Sequence, residues 1–396
     1  MVVLQALSQI AAVLPQPAYR RAQQMGHFAF AAAIPMAQVM WIDGYLRHSG
    51  RQVRLLAAGE PPWVNYLPDQ LLRPGFSVVP ISRVRAPMVP HILSRHRLHA
   101  DLVIVRMDHG WAHLVLGQDY LRVPEWLGAS IDLPEDLESF LCANESRHSD
   151  VRRLRRDGYS WHTSSLAQDL ETLYLDFHVP FIQRRFGAHA HVARPWTWQR
   201  QLARGGVLWV LHKGRRVAGL FFTREGKSLR LYATGAVNDA QSRAGFAGLY
   251  AFACTHAHAL GLRSLNLGGC RPTVGDGVFR YKRKWGARFG VKADQVFDLY
   301  LWWNKPSLAL DELLHHTPLV VRHGTELSHV ASLPSHDAGR ARSLAATLHT
   351  PGISNTILLG RPQDIPPRAA LPIGVAVLDP RIADDSRTFV RTIAKE

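Results

Sequence analysis

A run of short apolar stretches with tight turns between them, followed by a helix and another strand, constrains the fold of this sequence more than any other feature. The apolar stretches cover residues 207–211, 216–223 and 229–234, with turns at Lys213-Gly214 and Glu225-Gly226. This spacing predicts an antiparallel meander. The helical pattern of 246–260 and the strand 264–267 follow it. We therefore expect an α/β fold built on a mixed sheet.

The segment after this meander carries the most distinctive motif. The strand 264–267 runs into Gly268-Gly269, and a proline-containing loop then leads to a short helix of basic residues that Gly286 closes. Paired glycines leave the backbone accessible to a ligand, and a helix N-terminus attracts anions. This combination is typical of sites for acyl or phosphate groups.

Three segments resemble motifs of the FemAB-like branch of the GNAT acyltransferase superfamily. They are the strand, glycine pair and Tyr-Lys helix of 264–286, the basic helix of 144–158 that ends in glycine, and the segment 177–187. Together they span about residues 130–300. The sequence departs from the family at Asn266, where an acid is common, and at Cys270, where a small residue is common. The resemblance implies a GNAT-like acyltransferase fold, with two tandem GNAT-like halves as a further option.

The resemblance also suggests which residues catalyse the reaction. It implies that Lys282 faces the acyl donor, with Tyr281 beside it as a proton donor or a packing residue. His178 lies on a helix that borders the acceptor pocket in the family, and its ordinary pKa suits a general base. Cys270 has no histidine near it in sequence that could activate it, so we expect no covalent thiol step.

The donor site is expected in the loop before the helix of 246–260. GNAT proteins bind the pyrophosphate of acyl-CoA there through backbone N–H groups and the helix dipole. The cofactor-binding candidates are Asn238, Arg243, Gly245 and Gly248, joined by Gly268 and Gly269 of the paired-glycine turn. Acyl-CoA is the expected donor substrate. We predict no metal, because no histidine or cysteine set has ligand spacing.

Substrate binding is assigned to charged residues. Arginines of 147–156 could hold a phosphate, a nucleotide-linked acceptor or an RNA backbone, although charged helices are often only solvated surfaces. The candidates are Arg147, Arg152, Arg156, Asp176 and Arg271.

Composition bears on partners and location. The 47 Lys and Arg exceed the 31 Asp and Glu, giving a formal net charge of +16. Such a surface attracts RNA, phosphate-bearing ligands or acidic membranes, or simply uses arginine for solubility. Three separated cysteines, Cys142, Cys254 and Cys270, indicate a reducing cytoplasmic setting. We expect an amphipathic helix over 1–15, a buried helix over 28–41 and no stable membrane insertion.

The 396 residues suggest more than one domain. We predict an N-terminal mixed α/β domain over 1–130, read as a degenerate GNAT-like copy, an acyltransferase domain over 131–303 and an extension of unknown role over 304–396. In the first domain we expect strands at 53–57, 102–106 and 112–116, with irregular structure over 61–90. In the extension we expect a helix over 308–316 and strands at 356–359 and 373–378.

Three functions remain open from the sequence. The first is an N-acyltransferase that moves an acyl group from acyl-CoA to an amine of a small or carrier-linked acceptor. The second is an aminoacyl-tRNA-dependent transferase of the FemX type, which the positive charge favours. The third is a non-catalytic GNAT-like protein that binds RNA or an anionic glycan. The oligomeric state is not predicted.

Overall fold

The computed structural model describes residues 36–117, 120–187, 192, 194–237, 242–292, 294–304, 307–333, 338–360 and 375–378. The chain divides into two compact units, each discontinuous in sequence. Unit 1 comprises 1–127, 270–279 and 290–396, and unit 2 comprises 128–269 and 280–289. Each unit contains mixed sheet and helices, so the predicted α/β class is confirmed.

The strands, in chain order, are β1 Met36–Tyr45, β2 Gln52–Gly59, β3 Ser77–Arg85, β4 Leu102–Asp108, β5 Leu121–Pro124, β6 Leu127–Asp132, β7 Tyr159–Ser164, β8 Gly205–His212, β9 Arg215–Glu225, β10 Ser228–Ala236, β11 Ser264–Cys270, β12 Arg288–Val291, β13 Phe297–Trp302, β14 Leu319–His323, β15 Glu326–Ser332, β16 Asn355–Leu359 and β17 Val375–Leu378.

The described α-helices are α1 Pro61–Leu71, α2 Val89–His96, α3 His109–Val115, α4 Leu137–Cys142, α5 Glu145–Arg156, α6 Ala167–Thr172, α7 Val179–Phe186, α8 Pro195–Leu202, α9 Ser242–Ala259, α10 Gly277–Lys284, α11 Leu308–His316 and α12 Ala338–Leu348. In the described part of the chain, no helix is both long and apolar enough to cross a membrane.

Unit 1 contains a six-stranded sheet in the order β3-β1-β2-β4-β13-β5. Strand β13 pairs antiparallel with both β4 and β5, although about 190 residues separate it from β4 and about 170 from β5 in sequence. Its buried leucine and aromatic residues complete the core on both faces of this sheet. The C-terminal part therefore belongs with the N-terminal part, and the three consecutive predicted segments do not match the compact units.

Unit 1 also contains a four-stranded sheet in the order β14-β15-β16-β17. Strand β15 pairs parallel with β16, and β16 pairs parallel with β17. The predicted strands at 356–359 and 373–378 are thus confirmed over their described residues. Helix α11 begins at Ser307, whose side chain caps the Leu310 N–H, and covers 308–316 as predicted.

Unit 2 is built on a seven-stranded sheet in the order β12-β6-β11-β10-β9-β8-β7. Strands β8, β9 and β10 form the predicted antiparallel meander. Lys213 turns with φ 52° ahead of Gly214, and Gly226 turns with φ 61°. Helix α9 then leads to β11, which pairs parallel with β10. The element order predicted for the core of this unit is confirmed.

The two large sheets share an arrangement at one side. In unit 1 the parallel pair β2/β4 is followed by β13 and β5, and in unit 2 the parallel pair β10/β11 is followed by β6 and β12. In both sheets the third strand comes from a distant part of the sequence. The expected two tandem GNAT-like halves stay a prediction.

Several local predictions for the first domain were wrong. Residues 61–90 contain α1 and β3, because Pro61 and Pro62 occupy the first helical turn, where proline is tolerated. Residues 112–115 belong to α3, since the Asp108 carboxylate accepts hydrogen bonds from the Gly110 and Trp111 N–H groups and starts a helix there. Over 36–41 the predicted helix is strand β1, and its earlier residues, like those of 1–15, lie outside the described part.

Candidate functional site

The candidate site of unit 2 lies where the parallel strands β10 and β11 stop pairing. Their register covers only three pairs, the last of which is Arg230 with Asn266. A bulge at Tyr232 shifts the register of β10 against β9 immediately afterwards. Beyond this point β10 continues to Ala236 and β11 to Cys270 without pairing to each other. Past Arg230 and Asn266 the two strands therefore form no ladder hydrogen bonds with each other, which leaves an opening between them.

The paired-glycine turn lies on the β11 side of this opening. Gly268 has φ 71°, a left-handed conformation that glycine adopts without strain. The Asn266 side chain accepts a hydrogen bond from the Gly268 N–H at 2.9 Å. Asn266, which departs from the family's usual acid, thus stabilises the turn.

Lys282 holds the same turn from inside the protein. Its Nζ donates hydrogen bonds to the carbonyl oxygens of Gly268 at 3.1 Å and Gly269 at 2.7 Å. The side chain is only 3% exposed. The structure therefore gives Lys282 a positioning role: it fixes the two carbonyls and so aims the remaining backbone groups of the turn. Its predicted direct contact with a donor stays a prediction.

Tyr281 lies in an aromatic cluster. Its ring packs edge-on against Tyr250, with centroids 5.1 Å apart, and against Phe246 at 5.7 Å. Burial raises the pKa of the Tyr281 phenol above its ordinary value, and the Trp285 side chain opposes this rise. The phenol is therefore protonated at neutral pH, which excludes it as a base and leaves packing as its observed role.

His178 lies beside the stretch of β10 that does not pair with β11. Its Nδ1 is 2.8 Å from the carbonyl oxygen of Thr234. A carbonyl only accepts, so Nδ1 carries the proton and Nε2 holds the lone pair of the neutral ring. Burial lowers the pKa of His178, and the Thr234 carbonyl opposes this effect. The imidazole is thus neutral near pH 7 and fixed in the tautomer that a general base at Nε2 requires.

The backbone brings His178 unusually close to the sheet. Residues Leu173–His178 form a π-helical segment, a feature found often at functional sites. A Cβ added at Gly235 would lie 2.5 Å from the Phe177 carbonyl carbon and 2.6 Å from the backbone nitrogen of His178. Only glycine permits this approach. Sequence analysis did not single out Gly235, and its signal was a lone glycine inside an otherwise apolar strand.

Arg147 has a structural role. Its guanidinium donates hydrogen bonds to the carbonyls of Phe140, Leu141 and Trp285, and it lies 3.9 Å above the Phe140 ring. It is 3% exposed, and burial lowers the pKa of its guanidinium. This side chain joins α5 to the residue that follows α10, and its hydrogen bonds are directed away from any external substrate.

We predict that Arg147→Ala lowers the free energy of unfolding by about 3 kcal/mol, because three buried carbonyls lose a charged donor. Arg152→Ala, on the exposed face of the same helix, is expected to change it by less than about 0.5 kcal/mol. Urea denaturation at pH 7 measures both. An Arg147→Ala protein as stable as Arg152→Ala would contradict the structural role.

The other substrate-binding candidates lie at the surface. Arg152 is exposed, Arg156 forms an ion pair with Asp157 at 2.8 Å, and Asp176 is exposed on the π-helical segment. Arg271 belongs to unit 1 and stacks on Trp126, with its guanidinium carbon 4.2 Å from the ring centroid. The structure does not gather these residues into one cluster, and their roles stay predictions.

The donor-site candidates divide into two groups. Asn238 and the Arg243 side chain lie outside what the structure describes. Gly245 and Gly248 are buried on α9, where an added Cβ would lie 3.2 Å from Val217 and 2.9 Å from Val210. Close packing of α9 on the sheet explains both glycines without a ligand. Among the described residues, no group of three histidine, cysteine or acidic side chains is arranged to hold a metal.

Comparison with known proteins gives only distant matches. No protein-family model and no curated protein matches the sequence. Solved structures that resemble the chain include the C-terminal domain of a putative lysylphosphatidylglycerol synthetase from Agrobacterium fabrum, with a TM-score of 0.34 at 13% identity over 67% of this chain and 80% of that one.

Two further structures resemble the chain in the same way. FemX has a TM-score of 0.37 at 10% identity over 65% of this chain and 83% of its own. A GCN5-related N-acetyltransferase from Sphaerobacter thermophilus has a TM-score of 0.31 at 13% identity over 63% and 72%. Likeness at this level does not establish an activity, so the proposal below rests on the residues of this chain.

Proposed function

We propose that the protein is an acyltransferase that moves an acyl group from acyl-CoA to the amine of a small or carrier-linked acceptor. The observation that carries this proposal is the opening between β10 and β11, bordered by the turn that Lys282 holds. A thioester carbonyl in this opening would lie next to the backbone of β10 where this strand no longer pairs with β11, and N–H groups there would be its donors. Such donors stabilise the oxyanion that forms when an amine attacks the carbonyl carbon.

His178 supplies the proton acceptor in this proposal. The attacking amine must lose a proton as its nitrogen bonds to the carbonyl carbon, and the C–S bond then breaks to release the thiolate. His178 is neutral, has its lone pair at Nε2 and contacts, through Thr234, the stretch of β10 that does not pair with β11. The released proton can pass to the thiolate, so the transfer needs no further reactant.

His178→Gln is expected to lower kcat by about 100-fold or more, the usual contribution of a general base. The matched control is His258→Gln. His258 is an exposed histidine of the same unit, and its Nε2 lies 2.9 Å from the Glu135 carbonyl oxygen. Thiol release from a panel of acyl-CoA donors with mixed amines measures both variants. Equal activity of the two variants would remove His178 from the mechanism.

A second candidate is transfer from aminoacyl-tRNA. Unit 2 has 23 Lys and Arg against 12 Asp and Glu, whereas unit 1 has 24 against 19. The positive charge is thus concentrated in the unit that contains the candidate site, as an RNA-bound donor would favour. Parallel assays with acyl-CoA and with charged tRNA, each with and without ribonuclease, separate the two. Activity only with intact charged tRNA would reject the CoA donor.

Inactivity with both donors would instead favour a binding protein for RNA or an anionic glycan.

A further inference from the structure

A buried tryptophan lies against the proposed base of unit 2. Trp198 belongs to α8 and is 1% exposed. The centroid of its indole is 4.8 Å from that of the His178 imidazole, and the two ring planes meet at 60°. Aromatic pairs in this range of distances favour particular orientations of one ring against the other. Nothing in the proposed acyl transfer uses this side chain, although it touches the group that accepts the proton.

Other aromatic rings hold Trp198 itself in place. Its indole stacks on Phe221 of β9, with centroids 5.5 Å apart and planes 17° apart. Tyr174 packs edge-on against the indole at 5.1 Å, and it lies four residues before His178 on the π-helical segment. The indole therefore contacts both the sheet and the segment that carries the base. A side chain fixed in this way can fix the orientation of the catalytic group beside it.

The indole N–H does not explain why a tryptophan stands here. Trp198 Nε1 is buried and has no hydrogen-bond partner among the described residues. A buried donor without a partner costs free energy, so the N–H group gives the folded protein no advantage at this position. The role of the residue therefore lies in its ring, which is placed against the imidazole.

Trp198 and Thr234 constrain the imidazole in different ways. The Thr234 carbonyl oxygen, 2.8 Å from Nδ1, keeps the proton on that nitrogen, whereas the Trp198 ring limits how far the imidazole can rotate. Burial lowers the pKa of His178, and the Thr234 carbonyl opposes this effect. The Trp198 ring covers part of the imidazole, so it contributes to this burial.

Charged neighbours do not cause the lowered pKa of His178, whose causes are burial and the Thr234 carbonyl. Tyr174 is the titratable group in ring contact with the imidazole, at 6.3 Å between centroids, and the acids Glu171 and Asp176 are exposed. The charged side chains of the adjoining elements have partners elsewhere: Arg184 with the Ala236 carbonyl, Arg200 with the Trp196 ring, Arg216 with Asp169, and Arg230 with Glu225.

We propose that Trp198 is a positioning residue of the acyl transfer: its ring holds the His178 imidazole against β10 and keeps water away from it, so that Nε2 is ready to accept the proton of the attacking amine. Trp198 acts on the reaction through His178 alone. Its part in the reaction rests on the proposed function, whereas its effect on His178 can be measured without a substrate.

The experiment compares the full-length wild type with Trp198→Leu and with Trp196→Leu. Trp196 is a matched control, because it lies on the same helix but is 40% exposed and contacts Arg200. NMR titration with isotope-labelled histidine measures the pKa of His178, whose signal among the 21 histidines is the one missing from His178→Gln. In Trp198→Leu, water reaches the imidazole and stabilises its charged form, so the pKa of His178 is expected to rise towards its ordinary value of about 6.5. Trp196→Leu is expected to match the wild type.

The pH profile of kcat/KM gives a second measurement. Its acid limb reports the pKa of the base in the free enzyme, so this limb is expected to move to higher pH in Trp198→Leu. In the same variant kcat is expected to fall by about 10-fold or more, because Nε2 is no longer held in place, while KM for the donor changes little. Trp198→Phe keeps an aromatic ring and lacks the N–H group, and it is expected to restore most of both losses.

Equal pKa values of His178 in Trp198→Leu and Trp196→Leu overturn the proposal, because a residue that only packs would leave this pKa unchanged. A Trp198→Phe protein that behaves like Trp198→Leu also overturns it. A raised pKa of His178 in a protein that is inactive with every donor would instead reject the acyl transfer and retain the effect of Trp198 on His178. If Trp198→Leu does not fold, Trp198→Met takes its place, because the flexible methionine side chain fills irregular gaps.

Discussion

Lys282→Met is expected to lower kcat of the acyl transfer by about 100-fold, because a shift of about 1 Å in a positioning element can cost that much. The methionine side chain fills the buried space but leaves the Gly268 and Gly269 carbonyls without their charged donor. Since hydrogen bonds to charged groups contribute about 1.5–3 kcal/mol each, the free energy of unfolding is expected to fall by about 3 kcal/mol. Steady-state kinetics and urea denaturation measure the two effects.

The kinetic constants distinguish a positioning role from direct contact with the donor. If Lys282 only holds the turn, kcat falls while KM for the donor changes little and keeps its salt dependence. If the ammonium binds a donor phosphate, KM rises and its salt dependence weakens. Arg280→Gln, an exposed cation of the same helix, is the control and is expected to match the wild type in stability. A fully active and stable Lys282→Met protein would remove the turn from the proposed site.

Local sequence signals predicted the meander and the helix ends of unit 2 well. The turns at Lys213-Gly214 and Glu225-Gly226 require left-handed backbone, which Gly214 and Gly226 supply and which Lys213 also adopts, with φ 52°. Gly158, with φ 70°, ends α5 as predicted. The helix begins at Glu145, and the Asn144 side chain caps it by accepting a hydrogen bond from the Arg147 N–H. Capping residues and turn glycines determine the structure of only a few neighbouring residues, so their effect can be predicted from a single sequence.

The arrangement of unit 1 could not be predicted from such local signals. Strand β13 joins β4 and β5 through contacts between residues about 175–200 positions apart. Only the apolar pattern of β13 is a local signal, and this pattern does not indicate which strands β13 pairs with. Asp298 was missed for the same reason, although a lone acid inside the apolar run Phe297–Trp302 was a usable signal. A buried carboxylate requires partners, and sequence alone could not identify them.

The candidate residues of unit 2 were found from sequence motifs, and their burial in the structure then changed the roles that we assign to them. The sequence singled out Lys282, Arg147 and His178, yet all three are less than 10% exposed. Basic residues on a helix suggest a solvated or ligand-binding face, and nothing local distinguishes a cation that hydrogen-bonds to backbone carbonyls. Only tertiary structure shows that Lys282 and Arg147 support the backbone and that His178 adjoins the open strand edge.

Asp298→Asn is expected to lower the free energy of unfolding of the protein by about 3 kcal/mol, because breaking a buried ion pair leaves an uncompensated charge. The amide keeps one acceptor oxygen, but its NH₂ group replaces the other and faces a donor there, Arg122 at one position or Gln295 at the other. The control is Glu138→Gln, which removes the exposed ion pair with Arg155 and is expected to have little effect. Urea denaturation of both variants, followed by hydrogen exchange of β13 so that the signal reports on unit 1, measures the difference in the free energy of unfolding.

The pH dependence of this difference tests its electrostatic origin. Burial alone would raise the pKa of Asp298, but His109 and Arg122 outweigh it and hold the pKa below its usual value. The carboxylate thus contributes stability above its unfolded pKa of about 3.9, and this contribution is lost as the pH falls through the lower folded value. The difference in the free energy of unfolding between the wild type and Asp298→Asn should therefore be constant from pH 7 to about pH 5 and become smaller below about pH 4. A difference in the free energy of unfolding that stays unchanged at acid pH would mean that Asp298 acts through packing and not through its charge.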